Sequence, residues 1–333
     1  CNPSIGLASY VKLLNNRSDI AAVVGPGCSS ACEATSLFGS TKNMFQIAYS
    51  CTSSTLSNTK LYPLFSRTVA TLEPVAGVIL SMFKQYSWNK GTIVSDTSTV
   101  YSSTARLTES LLRKAGYEAP LVVLDGSELQ KQSAVQTIKK TGRVVLMFLY
   151  DRDVRAILLA AYEDGLWGRG YAYVQAEQLS GTSHMDKSGS PDGLDARAKY
   201  LMHGMLCFGP KPPEVNEEYS AFLKAHRAKT LELSGEPASE QLDPYLIPLY
   251  EALHFYGQLV TLAQKRRVDF RDGRAMVDML PLVRVDVFQQ PVSLDERGER
   301  RKDISLFNYL DGKLTRAANY DFQSASLLFT DHT

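Results

Sequence analysis

Residues 19–38 read DIAAVVGPGCSSACEATSLF. The first six residues form a short apolar run of strand character. A turn with two glycines and a proline follows, and then a segment opening on Cys28, Ser29 and Ser30 that has helical composition. A strand feeding a helix through a glycine-rich turn is the repeating unit of a parallel sheet covered by helices. The rest of the chain repeats it. MFQIAY (44–49) is the next strand, followed by a polar loop. In 72–86, Val75, Val78, Ile79, Met82 and Phe83 fall at i, i+3, i+4, i+7 and i+8, which predicts an amphipathic helix. Thr71 is placed to cap it, and Pro74 suits its first turn.

The strand TIVS (92–95) precedes a helix at about 100–115, APLVVL (119–124) one at about 130–141, and RVVLMFLY (143–150) one at 154–164. Gly116, Gly142 and Gly165 stand just past these helices, where a left-handed residue is needed. Strands YAYV (171–174) and MLCF (205–208) follow, with 178–200 read as a long polar loop between them. Beyond 210 helices dominate, at about 215–233, 241–265 and 273–281, and the tail is strand-like with Arg-Gly and Asp-Gly turns.

The chain has 333 residues, 44% of them apolar, which suits two α/β lobes. Its net charge of +1 gives no electrostatic case for nucleic acid or an anionic membrane surface. The longest apolar run, VVLMFLY (144–150), is far short of the about 20 residues that span a bilayer. No signal peptide is apparent. Four of the five cysteines lie in the first 51 residues, a clustering that fits disulfides in an oxidising compartment or buried thiols. Asn16-Arg17-Ser18 is a glycosylation sequon.

Several chemistries fail at the 25–30 turn. It lacks the GxxxxGK[ST] of a phosphate loop, and Ser30 stands where a dinucleotide turn needs its third glycine. Gly-x-Cys-x-Ser departs from a nucleophile elbow at its last position, and none of the five histidines lies in a recognisable motif. Glu251 and His254, spaced i, i+3, have no partners to complete a metal site. No catalytic residue, metal or cofactor is expected. A helix start offers unpaired N–H groups and a partial positive charge, so a carboxylate or halide suits the turn. Ligands of open parallel sheets bind past the C-terminal strand ends. Three stretches qualify: Gly27 to Ser30, Ser50 to Ser54 and Tyr150 to Asp153.

VVGPGCSS, MFQIAYSCTSSTLS, YPLFSRT and YSWNKGTIVSD occur in the order seen in the ANF-receptor-type ligand-binding regions. PLYEALHFYGQLV and the tail SLDERGERRKDISLFNYLDGKL resemble that family's lobe 1 helix and closing hairpins, so the resemblance covers nearly the whole chain. FLYDRDVRAILLAAYEDGLWGRGYAYV is similar to the corresponding strand, helix and strand of the GABA type B receptor branch, a class of G-protein-coupled receptor; receptor guanylyl cyclases are the near alternative. The resemblance implies a type 1 periplasmic-binding, two-lobed Venus-flytrap fold, each lobe a parallel sheet flanked by helices. Lobe 1 would hold 1–68 and 210–283, lobe 2 69–209 and 284–333. It further implies an extracellular domain of a membrane receptor that takes a small amino-acid-like ligand between the lobes and signals by their closure. A peptide ligand with chloride at the GPGC turn, or a free solute-binding protein, are the alternatives. A dimer through lobe 1 is implied too.

Matched residue by residue, Ser29 corresponds to the serine holding the ligand carboxylate, with Ser30 beside it. Thr52, with Ser53, matches a Ser/Thr position at the same end of the ligand. Tyr150 matches the lobe 2 tyrosine that closes over it. The acid meeting the ligand amine does not align; Glu177, Asp243 and Asp96 are candidates, Glu177 from its place after YAYV. Cys1 and Cys28 look like the family's first disulfide, and Cys32, Cys51 and Cys207 have no clear match. The family's opening strand, helix and strand are absent ahead of Cys1, so lobe 1 is expected to be incomplete, the chain being either a fragment or the product of an incomplete gene model.

Overall fold

The computed structural model describes residues 2–177, 192–238, 242–300, 303–310, 313–321 and 323–330. The chain forms two compact units. The first comprises 1–51, 56–70 and 211–302, and the second 52–55, 71–210 and 303–333.

The first unit opens on helix α1 (Pro3–Asn16), whose Asn2 cap accepts from the Ser4 and Ile5 N–H groups. Strand β1 (Ala22–Val24), helix α2 (Ser29–Thr41), and strands β2 (Phe45–Ala48) and β3 (Phe65–Arg67) follow. The strands pair in parallel in the order β1-β2-β3.

In the second unit α3 (Pro74–Gln85) leads into β4 (Thr92–Asp96), α4 (Thr99–Lys114), β5 (Leu121–Leu124), α5 (Glu128–Thr141), β6 (Val144–Phe148), α6 (Asp151–Glu163), β7 (Ala172–Gln175), α7 (Asp195–Met202) and β8 (Leu206–Pro210). The chain returns to the first unit as α8 (Glu217–Ser234), α9 (Leu246–Arg266), α10 (Gly273–Asp278) and the hairpin β9 (Arg284–Val287)–β10 (Gln290–Ser293). It ends in the second unit as β11 (Ile304–Leu310), β12 (Lys313–Asp321) and β13 (Ser326–Phe329).

The second unit's sheet runs β13-β12-β11-β8-β7-β6-β4-β5, parallel from β5 to β8 and antiparallel beyond. Both faces are covered, which is why β6 reads as an unbroken apolar run. Val144, Leu146 and Phe148 enter one core with α3 and α4; Val145, Met147 and Leu149 enter the other with α5, α6 and α7.

The expected helices after each strand are present, with three differences. Helix α3 begins at Pro74 with Glu73 in the cap position and no side-chain cap, so Thr71 does not cap it. Main-chain bonds from the Val75 and Ala76 N–H groups to the Leu72 and Glu73 carbonyls close the turn instead. Residues 195–202, expected as polar loop, form α7, burying Ala198, Leu201 and Met202; residues 178–191 of that stretch lie outside the described residues. The chain's last passage between units comes at 302/303, against an expected 283, because Val285, Val287, Phe288, Val292 and Leu294 pack with Phe255 and Leu259 of α9.

Candidate functional site

In the first unit, β1 leads into a turn built for close approach. Gly25 has φ +108°, and a Cβ on Gly27 would lie 3.0 Å from the Tyr49 hydroxyl. Ser29 is the first residue of α2 and is buried; Ser30 is half-buried, its Oγ 3.4 Å from Cys28 Sγ. Cys28 is disulfide-bonded, which removes it as a nucleophile. The expected Cys1–Cys28 pairing involves Cys1, outside the described residues. Cys32 and Cys51 form a disulfide, both sulfurs within 3.4 Å of the Pro26 carbonyl oxygen. Cys207 is a buried thiol on β8. Asn16 ends α1 and is exposed.

In the second unit, Thr52 and Ser53 are buried. The Thr52 carbonyl accepts from Leu72 N–H, and Ser53 Oγ from Thr55 N–H, so part of their polar capacity closes local turns. Tyr150 caps α6 and is 37% exposed. Its ring meets that of Tyr101 edge-on, centroids 5.1 Å apart, and the Tyr101 hydroxyl donates to Glu177 Oε2 at 3.0 Å. The structure thus joins Tyr150 and Glu177 through a buried tyrosine on α4. In the helical pattern Tyr101 shares a face with Ala105, Thr108 and Leu112, and nothing in the sequence separates it from core.

Of the other acids, Asp243 is exposed in the first unit, where its Oδ1 accepts from Tyr245 N–H in the turn before α9. Asp96 ends β4 and is nearly fully buried. Its Oδ1 accepts from Ser98 N–H at 2.8 Å and from Ser98 Oγ at 2.5 Å. Burial holds its carboxyl above the usual carboxylate range; the Ser98 groups and the Tyr150 main-chain N–H pull it down, and the nearby Asp153 charge pushes it further up.

These side chains stand at a topological switch. From β4 the chain passes over one face to β5 at the sheet edge, and then to β6 on the opposite side of β4. The connections leaving β4 and β6 diverge and open a crevice beyond the strand ends. A pocket of about 770 Å³ lies there, lined by residues that include Asp96, Asp125, Lys131, Tyr150, Arg152 and Arg155. Arg155 is held by Asp192 at 2.7 Å and Asp195 at 2.8 Å. Among the described residues no group of three or more His, Cys, Asp or Glu could hold a metal ion. No helix among them is long and apolar enough to cross a membrane.

Parallel strand segments flanked by helices in each unit are those of the type 1 periplasmic-binding-like fold, a class of ligand-binding α/β proteins. The chain belongs to the receptor family ligand binding region family, whose model matches residues 1–311. It is 24% identical over 285 residues to retinal guanylyl cyclase 2 of Mus musculus, covering 83% of this chain and 24% of that protein. It is 24% identical over 322 residues to guanylate cyclase 2G of Rattus norvegicus, covering 92% of this chain and 29% of that protein. Gamma-aminobutyric acid type B receptor subunit 1 of Mus musculus is 26% identical over 176 residues, 52% of this chain and 18% of that protein. The chain spans 24% to 30% of the length of the first curated relatives it matches.

Proposed function

We propose that the chain is the extracellular ligand-binding region of a membrane receptor and takes a small amino-acid-like ligand. The observation that carries this reading is the switch-point pocket of the second unit, which joins groups of both charge signs to the exposed Tyr150 ring. An amino acid presents both charges within a few bonds, and a ring beside them supplies apolar contact at little entropic cost. Tyr150 and Glu177, tied through Tyr101, are proposed ligand contacts in this unit, with Thr52 and Ser53. Ser29 and Ser30 at the head of α2 are the proposed carboxylate contacts of the first unit, where N–H groups at a helix start suit an anion. The proposed disulfide of Cys28 is with Cys1, and Asn16, exposed, is the proposed glycan site. A dimer through the first unit is part of the same reading.

A second reading is the ectodomain of a receptor guanylyl cyclase with a peptide ligand and chloride at the 25–30 turn. What favours it is that the cyclase relatives match up to 99% of the chain, against 52% for the GABA receptor subunit. Melting temperature in the presence of 4-aminobutyrate, glutamate, glycine and chloride separates the two. A ligand at 100 times its Kd adds about 2.7 kcal/mol. A shift with one amino acid, lost in both Ser29→Ala and Tyr150→Ala, is expected. A shift with chloride alone favours the second reading, and no shift with any amino acid overturns the first.

A further inference from the structure

The strand-end pocket of the second unit carries more acid than its lining suggests at first count. Each of its bases is paired with an acid: Lys131 with Glu128, Arg152 with Asp153, which also lines the pocket, and Arg155 with Asp192 and Asp195. Asp125 and Asp96 also line it, and no base among the described residues lies within ion-pair distance of either. Asp125 is held ionised by hydrogen bonds from Ser127. Asp96 is only 9% exposed, and while its Oδ1 takes two donors from Ser98, its Oδ2 has no hydrogen-bond partner among the described residues. A buried carboxyl oxygen without a donor is an incomplete site, since each such oxygen can accept about two bonds.

We propose that Asp96 receives the ammonium end of a ligand in this pocket, with Tyr150 lining the same space. The inference rests on the pocket being the ligand site and adds what kind of group it takes. An organic ammonium ion fits better than a hard metal cation. It needs an acidic acceptor and tolerates an aromatic face, whereas calcium takes 6–8 oxygens and the described residues bring no three acids together. Glu177, by contrast, already accepts from Tyr101, so one of its oxygens is engaged before a ligand arrives.

The test uses n-butylammonium and butyrate, the same chain with opposite ends, titrated into the ¹⁵N-labelled protein. The Ser98 amide, donating to Asp96 Oδ1, is the reporter. Saturable movement of that resonance with butylammonium and none with butyrate is expected. Asp96→Asn should weaken butylammonium binding by roughly thirty-fold or more, the scale of truncating one partner of a buried charge pair, while Glu163→Gln, an exposed acid outside the pocket lining, should stay within about threefold of wild type. A silent Ser98 amide in the wild type overturns the proposal whether or not the variant folds. So does butylammonium affinity in Asp96→Asn within about threefold of wild type. If no amino acid shifts the melting temperature but butylammonium saturates and Asp96→Asn loses it, the cation site stands and the amino-acid reading falls.

Discussion

At the scale of single residues, Asp96 sets the cost of burying a charge against folding. A carboxyl whose pKa is higher in the folded than in the unfolded state binds its proton more tightly when folded. Its contribution therefore favours folding at low pH and is lost as pH rises from its ordinary 3.8 through the raised folded value. Asp96→Asn is expected to melt above wild type at pH 7, with the gap closing as pH approaches 4, read from melting curves across that range. A gap that is absent or reversed at pH 7 would remove the burial argument. Glu251 and Arg300 behave differently, because their side chains are 1% and 4% exposed and paired with each other. Arg300 also donates to the Thr68 carbonyl. Glu251→Ala leaves that guanidinium buried without its counter-charge and should cost about 3–5 kcal/mol in urea unfolding. In the sequence Glu251 reads as one half of a lone i, i+3 pair with His254, since its partner lies 49 residues away.

Turns and staples decide the outcome among the elements. Gly298 has φ +74°, and a Cβ there would lie 2.9 Å from both the Phe65 carbonyl oxygen and Ser66 Cβ. Its own carbonyl accepts from Arg67 N–H, which ties the last crossing segment to the end of β3. Gly298→Ala is expected to destabilise by about 1–3 kcal/mol, through a left-handed backbone and a contact that strand atoms cannot relieve. The Arg-Gly pair marked this turn in the sequence, but not what it packs against. The Cys32–Cys51 bridge closes a separation of 19 residues between α2 and the segment after β2. Removing it as a pair of serines should lower stability by roughly 2–4 kcal/mol on chemical denaturation. Helix α1 is absent from the sequence expectations, which begin their elements at residue 19. It buries only Tyr10, so its apolar periodicity is faint.

At the scale of the whole molecule, the chain passes between its units five times, so neither unit is a continuous stretch. The second unit nevertheless has its own sheet and two cores. Strand β8 pairs antiparallel with β11, and Pro210 stands opposite Ile304. A short turn can therefore replace residues 211–302 without moving either strand. Such a chain, 71–210 joined to 303–330, is expected to unfold in one cooperative thermal transition and to retain the Ser98 response to butylammonium. A broad, non-cooperative melt would mean that its cores need the rest of the chain.

The alternation of apolar strands with periodic helices was enough to determine an α/β fold, because local periodicity reports which faces are buried. β6 shows this best, with seven apolar residues in a row and a core on each side. The family motifs brought Tyr150 and Ser29 to notice as residues. What the sequence did not contain was who meets whom. The partner of Cys32, the crossing at 302, the link from Tyr150 through Tyr101 to Glu177, and the empty oxygen on Asp96 all depend on contacts between segments distant in the chain. Asp96 stood in the sequence only as one of three loop acids. Its distinction comes from the strand order that sets β4 beside β6, and strand order is fixed by the packing of whole elements rather than by any local pattern.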